Sequence, residues 1–285
     1  MMRRRRFTIP ISIILFLAAT LVGTYLVRKR VLEQHMVAAM NLDDDRTILL
    51  LLNKWPCPLS ATDETGQTPL HWAASSGNSE VIERCLAAGA DVNCPNAWGG
   101  TPLHCAMYNH KRATVALLMA KGADVNAGDK WGWRALHACG ERSVGELLIS
   151  GGADVNARDN EGYTPLHRRG ESGDKDIVEL LIARGADVKI RDKYGNTPLH
   201  RVRFSREIAE LLVANGADAN AGSESGWTPL HAAAARGAEG VAAFLILKGA
   251  EVNATDKNSR TPMDAARRQG NKKLVELLRR HGAKE

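Results

Sequence analysis

One four-residue string, Thr-Pro-Leu-His, returns along most of this 285-residue chain at an interval close to 33 residues. It stands at residues 68–71, 101–104, 164–167, 197–200 and 228–231, with variants at Arg134-Ala135-Leu136-His137 and Thr261-Pro262-Met263-Asp264. The successive intervals are 33, 33, 30, 33, 31 and 33 residues. Such self-similarity restricts the chain to one small unit stacked on copies of itself, because a unit of this size cannot bury its apolar face alone.

Each string encodes a helix start. Thr at the N-cap offers its hydroxyl to a backbone N–H that the helix leaves unpaired, and Pro at the next position has no N–H to lose and a φ already helical. A second string closes each unit: residues 89–93 read Gly-Ala-Asp-Val-Asn, and the motif returns at 122–126, 152–156, 185–189 (ending in Lys189), 216–220 and 249–253, with a truncated Gly282-Ala283. Gly just past a helix end is the usual left-handed cap. Between the strings the spacing predicts two short helices, the second carrying an apolar stripe such as Val81, Ile82, Cys85, Leu86 or Ile177, Val178, Leu181, Ile182. Asp-x-x-Gly turns follow, as in Asp129-Lys130-Trp131-Gly132, and predict a tight hairpin.

With both motifs at this period, the chain resembles the ankyrin repeat family over roughly residues 34–285. The resemblance implies an all-α repeat solenoid of helix-turn-helix units joined by β-hairpin loops. The expected repeats are 67–99, 100–132, 133–162, 163–195, 196–226, 227–259 and 260–285, after a degenerate capping repeat at 31–66. In that cap, Ile48 to Leu52 supply the second-helix stripe and Trp55-Pro56-Cys57-Pro58 replaces Gly-Ala-Asp. The last repeat has Asp264 in the His place and Arg279 where others are apolar, as expected of a polar outer face.

The N-terminal 1–30 stretch differs from the rest. Phe7 to Val27 is 21 residues without a charge, about 31 Å as a helix, which matches the hydrocarbon thickness of a bilayer. Arg3 to Arg6 precede it and Arg28-Lys29-Arg30 follow, with Val31 to about Gln34 expected as a short linker. An N-terminal transmembrane anchor at 7–27 is the expectation; the alternative is a cleaved signal and a secreted or periplasmic soluble binder. The basic flanks lean toward an N-terminus in the cytoplasm, whereas the family resemblance implies an intracellular array, so the side carrying the repeats stays open. These flanks also explain the formal net charge of +6: they supply seven positive charges, and the rest stands at −1. A nucleic-acid partner is not expected.

No catalytic, cofactor-binding or metal residue emerges. Six of the nine histidines are the repeated His71, His104, His137, His167, His200 and His231, which the resemblance implies are structural, bonded to a neighbouring loop. His110 and His281 have no carboxylate or Cys at metal-ligand spacing. Gly222-Ser223-Glu224-Ser225-Gly226 has Glu where a nucleophile elbow needs Ser. Cys85 and Cys139 read as core, and Cys57, Cys94 and Cys105 have no paired spacing. The expected function is a non-enzymatic, membrane-tethered interaction module; a subunit of an enzyme complex is the alternative.

The resemblance implies that hairpin tips and first helices line a concave, protein-binding face. Candidate anchors there are Trp72 and, just before the hairpin Gly, Trp98, Trp131 and Tyr194; the alternative is that they pack on adjacent hairpins. Trp133, Tyr163 and Trp227 read as structural. The repeat His and closing Gly are 18 residues apart in most copies, but 15 from His137 to Gly152 and 16 from His200 to Gly216. Between and beside these short units lie Arg168, Arg169, Arg201 and Arg203. A notch with a basic floor, including Arg168, Arg201 and Arg203, is expected to accept an acidic segment of a partner, against the alternative of a tolerated deletion with solvated arginines.

Overall fold

A computed structural model describes the backbone of residues 11–284 and the side chains of residues 20–284. The described residues form sixteen α-helices and no strand, and the chain divides into two compact units, residues 1–121 and 122–285.

The first unit holds α1 (Ile11–Asn41), α2 (Asp45–Leu52), α3 (Pro69–Ser76), α4 (Ser79–Ala87), α5 (Pro102–Tyr108) and α6 (Arg112–Ala120). α1 packs on α2 and α3, α3 on α5, and α2 on α4. The C-terminal turns of α1 bury Met36, Ala39 and Met40, and α2 buries Ile48, Leu51 and Leu52. Asp44 caps α2, accepting the Thr47 N–H at 3.1 Å. The expected linker at 31–34 is instead continuous helix: α1 serves as the first helix of the capping repeat. Of the expected membrane segment, residues 7–10 lie outside the described residues, as do the side chains of 11–19; among the described residues no helix is long and apolar enough to cross a membrane.

In the second unit the first helices are α7 (Ala135–Ala138), α9 (Pro165–Ser172), α11 (Pro198–Arg201), α13 (Pro229–Arg236) and α15 (Pro262–Arg268). Each packs on the next. The second helices, α8 (Arg142–Ser150), α10 (Lys175–Ala183), α12 (Arg206–Ala214), α14 (Glu239–Leu247) and α16 (Lys272–Arg280), stack likewise into a second layer. All five second helices keep nine residues. The two short repeats therefore lose their residues from the first helix, which is a single turn of four residues in α7 and α11 against eight in α9 and α13.

The expected β-hairpins are tight turns without strands. Each closes on itself, as where the Asp129 N–H donates to the Trp133 carbonyl at 2.9 Å, and within each unit a tip makes one backbone bond to the preceding tip, such as Lys193 N–H to the Glu161 carbonyl at 2.9 Å. A single bond per neighbour cannot build a ladder. Gly195 shows why the tips pack so closely: its φ is +76°, and a Cβ there would lie 2.7 Å from the Glu224 backbone nitrogen.

Candidate functional site

Five of the repeated histidines, His71, His137, His167, His200 and His231, are fixed at both ring nitrogens. His167 Nδ1 accepts the Thr164 N–H at 3.1 Å, so the proton of the neutral ring sits on Nε2, which donates to the Asn196 carbonyl of the next repeat at 3.1 Å. The same pair of bonds recurs at His71 to Gly100, His137 to Tyr163, His200 to Trp227 and His231 to Arg260. Burial holds the rings neutral, pushing His167 and His200 down to about 4 despite the opposing carbonyl bonds. Asp264 reproduces the inner half alone, accepting from the Thr261 N–H at 2.8 Å.

Cys94 Sγ lies 3.9 Å from His71 Nδ1, a spacing that would suit a nucleophilic pair. Burial raises the thiol's pKa, however, and both His71 nitrogens are occupied, leaving no base to take its proton. Burial likewise pushes Cys85 and Cys105 up to about 12 and Cys139 to about 11. No group of His, Cys, Asp and Glu among the described residues could hold a metal ion.

Arg168 and Arg201 meet over one ring. Their guanidinium carbons lie 4.5 and 4.7 Å from the Tyr163 centroid, and Arg168 also covers Trp133 at 4.3 Å. Both are ion-paired: Arg168 donates to the buried Asp159 at 2.7 Å and Arg201 to Glu171 at 2.6 Å. The expected basic floor is thus largely compensated at Arg168, whose charge is spent on Asp159 and on the aromatic faces.

The truncated helices are completed from the next repeat. In a full-length helix the His carbonyl would accept an N–H four residues on. After α7 that role passes to Arg169, which donates to the His137 carbonyl at 3.0 Å while also pairing with Asp174 at 3.0 Å. After α11 it passes to Arg236, whose guanidinium donates to the His200 carbonyl at 2.6 Å. Desolvation lowers the Arg236 pKa, and Arg201 and Arg203 lower it further, with Glu171 opposing. The excess positive charge lies around α11, where Arg201, paired with Glu171, and Arg203 both act on Arg236. Beside it Phe204 is 64% exposed, with Arg203 5.7 Å from its ring.

A further tie changes at this junction. The closing Asn of a repeat donates to the next Gly carbonyl and accepts the following N–H, as Asn156 does with Gly185 at 3.2 Å and Asp187 at 2.8 Å. Lys189 takes the Asn place in the fourth repeat and has no acceptor to offer. Arg236, Phe204 and Glu171 are not singled out by sequence reasoning; the shortened 16-residue interval is the signal that points to them, because a lost turn must be filled from the adjoining copy.

The proposed aromatic anchors diverge. Trp72 is half-buried, its Nε1–H donating to Asp43 at 3.1 Å within the first unit. Trp98 and Trp131 are exposed at their tips. Tyr194 is 56% exposed, and its hydroxyl donates to Glu161 at 3.1 Å. Trp133, Tyr163 and Trp227 lie beside their own repeat histidines at 6.4, 5.8 and 4.8 Å between centroids.

Stacked two-helix repeats with Thr-to-His caps define a class, and comparison with known proteins identifies it. A family model described as ankyrin repeats (3 copies) matches residues 35–129, 114–192, 133–223, 169–256 and 202–285. The chain belongs to the ankyrin repeat family. Among solved structures it is similar to the ankyrin repeat domain of Bcl-3, described as a unique member of the IkappaB protein family, at 31% identity and a TM-score of 0.61. That match covers 76% of this chain and all of the other. No curated protein matches the chain.

Proposed function

We propose that this chain is a non-catalytic, membrane-tethered interaction module whose first-helix face, around α11, takes an acidic segment of a protein partner. The observation that carries this reading is the loss of a helical turn at α11, where three arginines, Arg201, Arg203 and Arg236, stand with one acid, Glu171, in electrostatic reach of Arg236 and Phe204 is exposed beside Arg203. A cluster of this sign draws in a carboxylate-rich segment and sets its register, while the aromatic ring supplies apolar contact area. The exposed tips at Trp131 and Tyr194 offer further contacts. Tethering is supported by the uncharged run 7–27 and by α1, where every described residue from Thr20 to Arg28 is exposed.

The test places a photo-crosslinking side chain at Phe204 in the full chain, with the same group at Leu247, exposed on the second-helix layer, as comparison. Position 204 is expected to capture an acidic segment and position 247 not to. Arg203→Glu, which breaks no ion pair on Arg203, should cut the crosslink yield about tenfold, equivalent to about 1.4 kcal/mol of binding. Equal capture at both positions, or indifference to Arg203→Glu, would count against this face.

A further inference from the structure

We infer that Trp55 and Tyr25 form an interfacial clamp on a bilayer phospholipid, so that the capping repeat lies on the membrane surface. This rests on the reading of residues 7–27 as a membrane segment, and it adds where the repeats sit relative to the bilayer and which side chains hold them there.

Trp55 is 71% exposed, unusual for a side chain of its size, and its ring centroid is 5.3 Å from that of Tyr25. The pair lines a groove of about 420 Å³ together with Leu21, Val22, Thr24 and Arg28. Its order along the helix matches a lipid: apolar residues on the side of the uncharged run, then the aromatic pair, then a cation. An acyl chain would lie along Leu21 and Val22 beside the Trp55–Tyr25 pair, with the phosphate at Arg28. Arg30 adds positive charge at the same level, the level at which anionic headgroups sit, while Lys29 is paired with Glu33 at 3.8 Å.

Depth follows from the covalent chain. Tyr25 stands two residues inside the end of the uncharged run, about 3 Å along a helix axis. Whatever touches its ring is at the boundary between hydrocarbon and headgroups, where Trp and Tyr concentrate because one part of each ring system is apolar and the other polar. α1 is unbroken to Asn41 and buries Met36, Ala39 and Met40 in the capping repeat. The helix that enters the bilayer is therefore the same rigid element that starts the repeats. The surrounding surface agrees: Leu21, Val22, Leu26 and Val27 are all exposed, on every side of the helix. Among the described residues only the Trp55 loop covers this stretch, and an apolar helix surface left otherwise open suits an apolar medium. The Trp55 loop is also where the capping repeat departs from Gly-Ala-Asp, so the departure supplies the clamp.

The experiment reconstitutes the full chain in phosphatidylcholine–phosphatidylserine vesicles, with some lipids brominated near the headgroup end of the acyl chain, and reads tryptophan quenching. Alkaline carbonate extraction is run in parallel, and a thermal melt checks that Trp55→Phe folds. The expected result is retention in the membrane with quenching that Trp55→Phe removes, since the other five tryptophans belong to the repeats. Arg28→Gln should halve the gain in quenching that phosphatidylserine gives over phosphatidylcholine alone. Retention with quenching unchanged in Trp55→Phe, or with none in the parent chain, overturns the clamp while the tether stands. Release by carbonate overturns the tether and the clamp together.

Discussion

Acidification from pH 7 to 4.5 should remove most of the repeat array's stability, read as a collapse of the denaturant midpoint followed by far-UV circular dichroism. The cause is the row of buried neutral imidazoles. An unfolded histidine takes its proton near pH 6.5, whereas His167 and His200 resist until about pH 4 because burial penalises the charged ring. Between those values the unfolded chain binds more protons, so stability is full above about pH 6.5 and falls as pH drops toward 4. Each of these two rings accounts for about 3 kcal/mol across that window. His71, His137 and His231 shift in the same direction, also chiefly through burial. Against a total of about 5–15 kcal/mol for an ordinary domain, the two rings by themselves remove a large share. The carboxylates Asp256 and Asp264, held below the usual range, act only at lower pH and cannot produce this window. A midpoint unchanged between pH 7 and 4.5 would show that protonation does not reach these rings' bonds.

Arg236→Ala should destabilise the second unit by about 2–3 kcal/mol, measured by chemical denaturation. Its guanidinium gives the His200 carbonyl the hydrogen bond that the missing turn of α11 no longer supplies. Deletion strands that acceptor, for which the usual cost is about 1–3 kcal/mol, and it removes a cation from a helix C-terminus, where positive charge is favourable. Arg236→Lys should recover only part of the loss, since a flexible ammonium lacks the planar fork. Arg184→Ala, at an exposed C-cap, should stay within about 0.5 kcal/mol. An Arg236→Ala effect no larger than that control would mean that water caps α11 equally well.

Much of the fold is legible in the sequence because its signals are local. Thr before Pro starts a helix, Gly after the last turn ends it, and a 33-residue period forces copies to stack. The two short intervals also mark where the stack is irregular. The expected β-hairpins do not form strands, because one bond per neighbouring tip is too few for a ladder. The linker expected at 31–34 fails for a related reason: nothing in Val31 to Gln34 stops a helix, and burial of Met36 and Met40 carries α1 through it. At the candidate site, sequence places arginines near the short repeats but does not say which charges are already spent. Arg168 is spent on Asp159, nine positions earlier in the chain; Arg236 serves a carbonyl of the preceding repeat.

The sequence by itself determined the repeat and its caps, since each depends on residues within a few positions of one another or on a strict period; the structural part of the histidines came from the family resemblance, because their outer bonds reach the next repeat. Tertiary structure alone decided which arginines remain available, that Trp55 meets Tyr25, and that α1 enters the first repeat without a break. Most of those outcomes depend on contacts between residues of different repeats, far apart in the chain, where the identity of a side chain does not reveal which neighbour has already satisfied it.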